Sequence, residues 1–257
     1  MSMDTKITGE RAMSAEGGFN PAWQRHSAEY LLAEPFLPPG TVLDLGCGVG
    51  HSYHLLAPRE TVGVDIEPQA LEGQSRRTVV ADMRSLPFAD GEFSSVLSSH
   101  SIEHVPDPER VVTEAARVVA PGGTVVIVTP NRLTFGRPDE IIDPYHFVEF
   151  DQAELRALCE PHFAHVEMRG LFGSDRYMEL HDEERRKLDR LLRIDPLKLR
   201  RLMPLRTRQF LYDWKLARER RGSDPRAAAI GIGDFHLGED QLDEALDLIA
   251  ICTAGPR

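Results

Sequence analysis

Five short apolar runs recur through the first half of the chain: "TVLDLG" (41–46), "TVGVDI" (61–66), "TVVAD" (78–82), "FSSVLSS" (93–99) and "GTVVIVTP" (123–130). Each is too short for a buried helix, and turn-rich or helix-compatible stretches separate them. That rhythm predicts an α/β fold, a parallel sheet with helical crossovers. The clearest crossover is "PDPERVVTEAARVVAPGG" (106–123). There Asp107 is placed to cap, Pro108 suits a first turn and Pro-Gly-Gly is a stop signal. Helical spacing assigns Val111, Val112, Ala115, Val118 and Val119 to its inner face. Two further helices are predicted, over residues 22–34 and in "DQAELRALCEPH" (151–162), and "HVEMRGLFG" (165–173) and "EALDLIAICTA" (244–254) read as late strands. Residues 1–18 have no periodicity and are expected to form a flexible tail.

Composition narrows the class. With 257 residues and 41% hydrophobic content the chain can bury a large core, near the upper end of one domain. No apolar run approaches the roughly 18 residues of a membrane span, and the start lacks a secretion signal, so a cytoplasmic protein is expected. Cys47, Cys159 and Cys252 are far apart and show no metal-type pairing, which argues against a disulfide framework or a structural metal. Cys159 and Cys252 read as core residues.

Charge is distributed unevenly. The net is −11, yet residues 185–221 carry 14 Lys or Arg against four acids, leaving about −21 for the rest. An acidic body argues against nucleic acid as partner. The basic stretch lies in residues 174–235, between the sixth strand and the last, where "DEERRKLDRLLR" and "RTRQFLYDWKLARERR" are helix-compatible and "RGSDPRAAAIGIGDF" reads as a flexible return. This segment is expected to be a helical insertion and lid, with residues 19–173 and 236–257 forming the main domain. Its arginines suit an anionic acceptor; a dimer contact or a membrane surface suits them equally.

Candidate chemistry gathers at the strand ends, where open parallel sheets bind ligands. Gly46, Gly48 and Gly50 follow the first strand, Asp65 and Ile66 the second, Asp82 and Met83 the third, Ser99 and His100 the fourth. Glycines let backbone approach a ligand, and Asp65 is placed to accept bonds from a ribose diol. A dinucleotide fingerprint wants its third glycine three places after the second, and position 51 is His.

Taken in order, "DLGCGVG", "GVDI", "ADMRSLPFADGEFSSVLSSHSIEHV" and "VVAPGGTVVIVTPN" resemble the class I S-adenosylmethionine-dependent methyltransferases, in the small-molecule branch typified by ubiquinone and menaquinone biosynthesis. The resemblance implies a Rossmann-like, seven-stranded, mostly parallel sheet with helices on both faces and an antiparallel last strand. It implies S-adenosyl-L-methionine as cofactor, held by Asp44 and the loop Gly46, Cys47, Gly48 and Gly50. Asp65 would take the ribose, Ile66 and Met83 the adenine and Asp82 its amino group, with Ser99 and His100 beside the methionine portion. The segment "PYHFVEF" (144–150) is similar to one in family members that act on hydroxylated metabolites. His146 and His100 are therefore the candidate catalytic groups, and loop fixation by His146 with Glu149 is the competing role. No metal ligand is assigned. The expected reaction is methylation of a small-molecule acceptor, foremost at a sugar or natural-product hydroxyl. Carbon or nitrogen methylation, a nucleic-acid methyltransferase and a non-catalytic binding module are the alternatives.

Overall fold

A computed structural model describes residues 20–135, 140–193, 195, 198–219 and 224–256. The expected tail, 1–18, lies outside the described residues. Every predicted apolar run becomes a strand. In chain order the main elements are α1 (Asn20–Ala33), β1 (Val42–Leu45), β2 (Thr61–Asp65), α2 (Pro68–Leu71), β3 (Arg77–Val80), β4 (Phe93–Ser99), α3 (Pro108–Val118), β5 (Val119–Pro130), α4 (Arg132–Phe135), α5 (Gln152–Cys159), β6 (His165–Gly173), α6 (Asp175–Arg193), α7 (Leu205–Glu219), α8 (Pro225–Ala228), β7 (Phe235–Gly238) and β8 (Asp247–Thr253).

The sheet runs β3-β2-β1-β4-β5-β8-β6-β7. β1 to β5 are mutually parallel, and β8 lies antiparallel between β5 and β6. Both faces are covered, which is why the inner strands are nearly continuously apolar. Val125 and Ile127 of β5 join the core beneath α3 and α5, while Val126 and Val128 join the core beneath α1. Period-two alternation thus splits one strand between two interiors. The predicted inner face of α3 is buried in full, and Cys159 and Cys252 are core residues, as expected. Among the described residues no helix is long and apolar enough to cross a membrane.

Three expectations are corrected. The sheet has eight strands rather than seven, because β7 adds to the edge by antiparallel pairing with β6. The stretch leading into it was expected to be a flexible return, but the Asn20 side chain donates to the carbonyls of Ala227 (2.9 Å) and Ile230 (2.8 Å). Asp234, buried, accepts from the Gly231 amide at 2.8 Å and the Ser174 hydroxyl at 2.6 Å. The order of this stretch comes from partners distant in sequence, which local composition does not reveal. At α3, Asp107 occupies the N-cap position without a side-chain cap bond, and Val119 already belongs to β5 before Pro-Gly-Gly is reached.

Candidate functional site

Strand order reverses beside β1: β2 and β3 lie on one side, β4 and β5 on the other. The carboxyl ends of β1 and β4 therefore diverge into a crevice. A cavity of about 340 Å³ opens there, lined by Gly46 and Gly48 after β1, Asp65 to Glu67 after β2, Ala81 to Arg84 after β3, and His100, Ser101 and His104 to Pro106 after β4. That volume falls within the roughly 300–1,000 Å³ of small-molecule sites.

One half of the cavity is built by backbone. Gly46, Gly48 and Gly50 all have positive φ, +72°, +52° and +65°. A Cβ at Gly46 would overlap Ser101, and one at Gly50 would overlap Gln74, whereas one at Gly48 meets nothing within 4 Å. Two glycines make the loop tight; the third leaves its ligand side open. The turn is fastened by Asp65, whose carboxylate accepts from the amides of Gly48 (2.8 Å) and Glu67 (2.9 Å). Gln74 donates to the Gly48 carbonyl at 2.9 Å. A four-residue 3-10 turn, Tyr53–Leu56, follows the loop in place of a long helix. At the next strand end, Arg84 grips Asp82 through Nη2 at 2.7 Å and holds its carboxyl below the ordinary range. Ile66 stays 60% exposed at the rim.

The other half is built from buried charge. His100 ends β4 with φ +47°, a left-handed conformation uncommon for any residue but glycine. Its Nε2 lies 2.9 Å from Glu29 Oε1 and 3.5 Å from Asp247 Oδ1, and its Nδ1 lies 3.5 Å from Glu103 Oε1. All three carboxylates are fully buried. Burial alone would lower the imidazole, yet Glu29 and Asp247 outweigh it and hold His100 well above its ordinary value. Burial likewise opposes ionisation of Glu29, and His100 and His26 overcome it, so Glu29 stays well below its ordinary value. Glu103 is pulled down to about 2 against its own burial, chiefly by His100. Glu29 also accepts from Ser99 Oγ at 2.6 Å and faces His26 Nδ1 at 3.5 Å. Arg25 clasps Asp247 with two nitrogens.

The structure divides the expected site residues. Gly46, Gly48, Asp65, Ile66, Asp82, Met83 and His100 line the cavity. Asp44, Cys47, Gly50, Ser99 and His146 do not. Asp44 sits on the α1 side of β1, fully buried, where it accepts from Tyr30 Oη (2.8 Å) and faces Arg76 Nη1 (2.7 Å). It braces the loop from behind. The Cys47 thiol, pushed up to about 12 by burial, packs beside Gly63. Ser99 turns away to Glu29. His146 bonds Glu149 Oε1 at 2.9 Å and stacks near Phe135 and His104, with ring centroids 5.1 and 5.0 Å apart. Burial works against its charge, and Glu149 with Glu103 and Asp143 prevails, so His146 is raised. It is fixed within the loop rather than presented to the cavity. Trp23, His26 and Tyr30 gather around His51, a ring that burial lowers to about 3.

Glu29, Glu103 and Asp247 are the residues sequence reasoning missed. Glu29 carried one local signal, an acid on the buried stripe of a helix that also holds Tyr30 and Ala33. Two His–carboxylate groups, His26–Glu29–His100 and Glu103–His104–His146, bring donor atoms within 4.8 Å of one another. In each a mutual or neighbouring hydrogen bond already accounts for the approach: Glu29 bonds His100, and His146 bonds Glu149. Helix α7 reaches the same neighbourhood. Tyr212 of α7 donates to Asp143 at 2.6 Å and Tyr145 donates to Asp213 at 2.7 Å. Lys198 and Arg200 of the basic stretch both pair with Glu140, at 3.3 and 2.5 Å.

Comparison with known proteins bears on this arrangement. Residues 43–127 match the family model for a methyltransferase domain. The chain is 31% identical to a probable S-adenosylmethionine-dependent methyltransferase of Mycobacterium tuberculosis, across 96% of this chain and 89% of that one. Tocopherol O-methyltransferase of Arabidopsis thaliana is 36% identical over 46% of this chain and 37% of its own. A solved S-adenosylmethionine-dependent methyltransferase of Thermotoga maritima superposes with TM-score 0.58 at 17% identity, covering 91% of this chain and 92% of its own, a likeness of fold.

Proposed function

The chain belongs to the S-adenosylmethionine-dependent methyltransferases, and from that premise we propose that it methylates an oxygen of a small-molecule hydroxyl. The cavity suits the cofactor: the open ligand side of Gly48 admits a close approach, and Asp65 and Asp82 offer carboxylates at neighbouring strand ends. Ile66 and Met83 offer apolar surface between them for a flat ring. When bound, S-adenosylmethionine supplies a methyl group on a sulfonium sulfur, already activated toward displacement.

What the protein adds is alignment, worth up to roughly 7–11 kcal/mol, and a destination for the hydroxyl proton. The observation that carries the reading is the buried cluster around His100. Three carboxylates, Glu29, Glu103 and Asp247, face two cations, Arg25 and the His100 imidazolium. Glu29 and Glu103 are held ionised, whereas burial raises Asp247, so the His100 imidazolium passes its proton to Asp247 and takes up the hydroxyl proton as the acceptor oxygen bonds carbon. Groups this close titrate as a unit, so the proton belongs to the cluster rather than to one residue. His26, beside His100 with ring centroids 4.2 Å apart, joins the cluster to the outer side of α1. Proton removal of this kind contributes about 10²–10⁴-fold in rate. His100 is the group at the cavity, and His146 holds the loop behind it. Among relatives, the tocopherol O-methyltransferase is consistent with an oxygen acceptor.

The test is methyl transfer from labelled cofactor to paired hydroxyl and amine acceptors of matched size. Transfer to hydroxyls, lost in Glu29→Gln while calorimetric binding of the demethylated cofactor persists, supports the proposal. Transfer confined to amines, or full activity in Glu29→Gln, overturns it.

A further inference from the structure

The glycine cradle is gripped from behind at its start, its middle and its end, and one guanidinium stands behind all three grips. Arg76 immediately precedes β3, and its side chain is only 5% exposed. At the start, its Nη1 forms an ion pair with Asp44 Oδ2 at 2.7 Å, two residues before Gly46. In the middle, its Nε donates to Gln74 Oε1 at 2.9 Å, and Gln74 Nε2 donates in turn to the Gly48 carbonyl at 2.9 Å. At the end, the guanidinium carbon lies 4.1 Å from the ring centroid of Tyr53, which opens the 3-10 turn beyond the loop. That ring is itself pinned, since its hydroxyl shares a 2.7 Å bond with Ser75. Nη2 fits against the bare backbone of β2, where a Cβ at Gly63 would come within 2.8 Å of it.

Donor chemistry fixes the direction of this chain of bonds. Guanidinium nitrogens donate and do not accept, so the Gln74 amide must turn its oxygen to Arg76 and its NH2 to the Gly48 carbonyl. Without Arg76 the amide is free to turn over, and its oxygen would then face the oxygen of Gly48. The same amide packs on Gly50, where an added Cβ would overlap it. Gly48 is thus held on both sides of its Cα, its N–H by Asp65 and its carbonyl by Gln74, at φ +52° with its open side free for a ligand. Lysine would bring a charge to Asp44 but not the planar fork that meets a carboxylate, an amide and an aromatic face together. We propose that Arg76 is a positioning residue for cofactor binding, setting the Gly46–Gly50 cradle through Asp44, Gln74 and Tyr53. Arg76 does not line the cavity, so it acts only through these neighbours. The role concerns the cofactor alone and holds whichever atom the enzyme methylates.

Calorimetric titration of the full chain with S-adenosylhomocysteine, the demethylated cofactor, tests it. Arg76→Lys is expected to weaken binding about tenfold. Gln74→Glu, nearly the same shape, keeps the bond from Arg76 but sets a carboxylate oxygen against the Gly48 carbonyl, and should weaken binding by about tenfold or more. A side chain that merely fills space would not register that exchange. In a Gln74→Ala background, Arg76→Lys should cost no more than about threefold, because the amide it orients is gone. Should Arg76→Lys not fold, Gln74→Glu carries the test, since it leaves the ion pair with Asp44 in place. Affinity within about twofold of wild type in Gln74→Glu, or equal losses from Arg76→Lys with and without the Gln74 amide, overturns the proposal.

Discussion

The two walls of the cavity are made differently. On the side of β1, β2 and β3, each contributing residue is supplied by the loop that follows its own strand, and the shape comes from glycine φ angles and amide bonds to Asp65. On the side of β4, His100 is held by Glu29, Glu103 and Asp247, which come from α1, the β4 loop and β8. The first wall is built by loops of adjacent strands fastened over short spans, Asp65 and Gln74 reaching Gly48 from 17 and 26 residues away. Its counterpart exists only once elements up to 222 residues apart in the chain have packed. The contrast suits a division of labour: a fixed cradle for a shared cofactor, and a charge cluster for the particular acceptor.

The contrast breaks most visibly at Asp65. Asp65→Ala should weaken cofactor binding at least about 100-fold by calorimetry, since two charge-assisted bonds are worth about 1.5–3 kcal/mol each. The same experiment on Glu29→Gln should leave affinity within about twofold while kcat falls about 10²-fold. If Glu29→Gln instead abolishes cofactor binding, the two walls are one site and the division fails.

Stability against pH separates the walls as well. Glu29 is held below its ordinary value, so its contribution is present above the unfolded carboxylate range and is lost as pH falls through the folded value. His100 is held above its ordinary value, so its contribution is complete below about pH 6.5 and fades as pH rises toward the folded value. Wild type should therefore lose stability toward both extremes. Glu29→Gln should flatten both limbs, and breaking the buried pair should cost about 3–5 kcal/mol near neutrality in chemical denaturation. A variant whose pH profile parallels wild type would show that the pair is not what ties His100 down.

Within the first wall, the glycines sharpen the picture. Gly46→Ala forces a Cβ into Ser101 at positive φ and should cost about 1–3 kcal/mol of folding stability. Gly48→Ala meets open space, so its folding cost should be near 1 kcal/mol and its main effect a loss of cofactor affinity. Equal destabilisation by the two would mean that the loop is not open on its ligand side. The smallest effect is expected at Tyr212→Phe, which removes one bond to Asp143 and should cost about 1 kcal/mol without changing cofactor affinity.

Much of the fold was legible in the chain because its signals are short-ranged. Strand runs, the α3 stripe and the glycine spacing are patterns within a dozen positions, and each appears where the pattern put it, although Asp65 and Gln74, 17 and 26 residues from Gly48, fasten the loop. The eighth strand was not legible, because Phe235–Gly238 is only four residues long and the "AIGIGD" stretch leading into it, without periodicity of its own, is ordered by Asn20 and Ser174. His146, a candidate catalytic group from its neighbours in sequence, bonds Glu149 and does not line the cavity, a placement that packing alone decides. Asp44, a candidate cofactor contact, has its carboxylate turned by the pleat toward Tyr30 and Arg76, which its position in the sequence does not reveal. The sequence by itself determined the order of strands, the glycine cradle and the acids at the ends of β2 and β3, since backbone conformation and period-two burial are local consequences of residue type. Only tertiary structure decided which ionisable groups meet. Charge interacts through space with whatever packing brings near, and no spacing along the chain encodes that Glu29 and Asp247 close on the same imidazole.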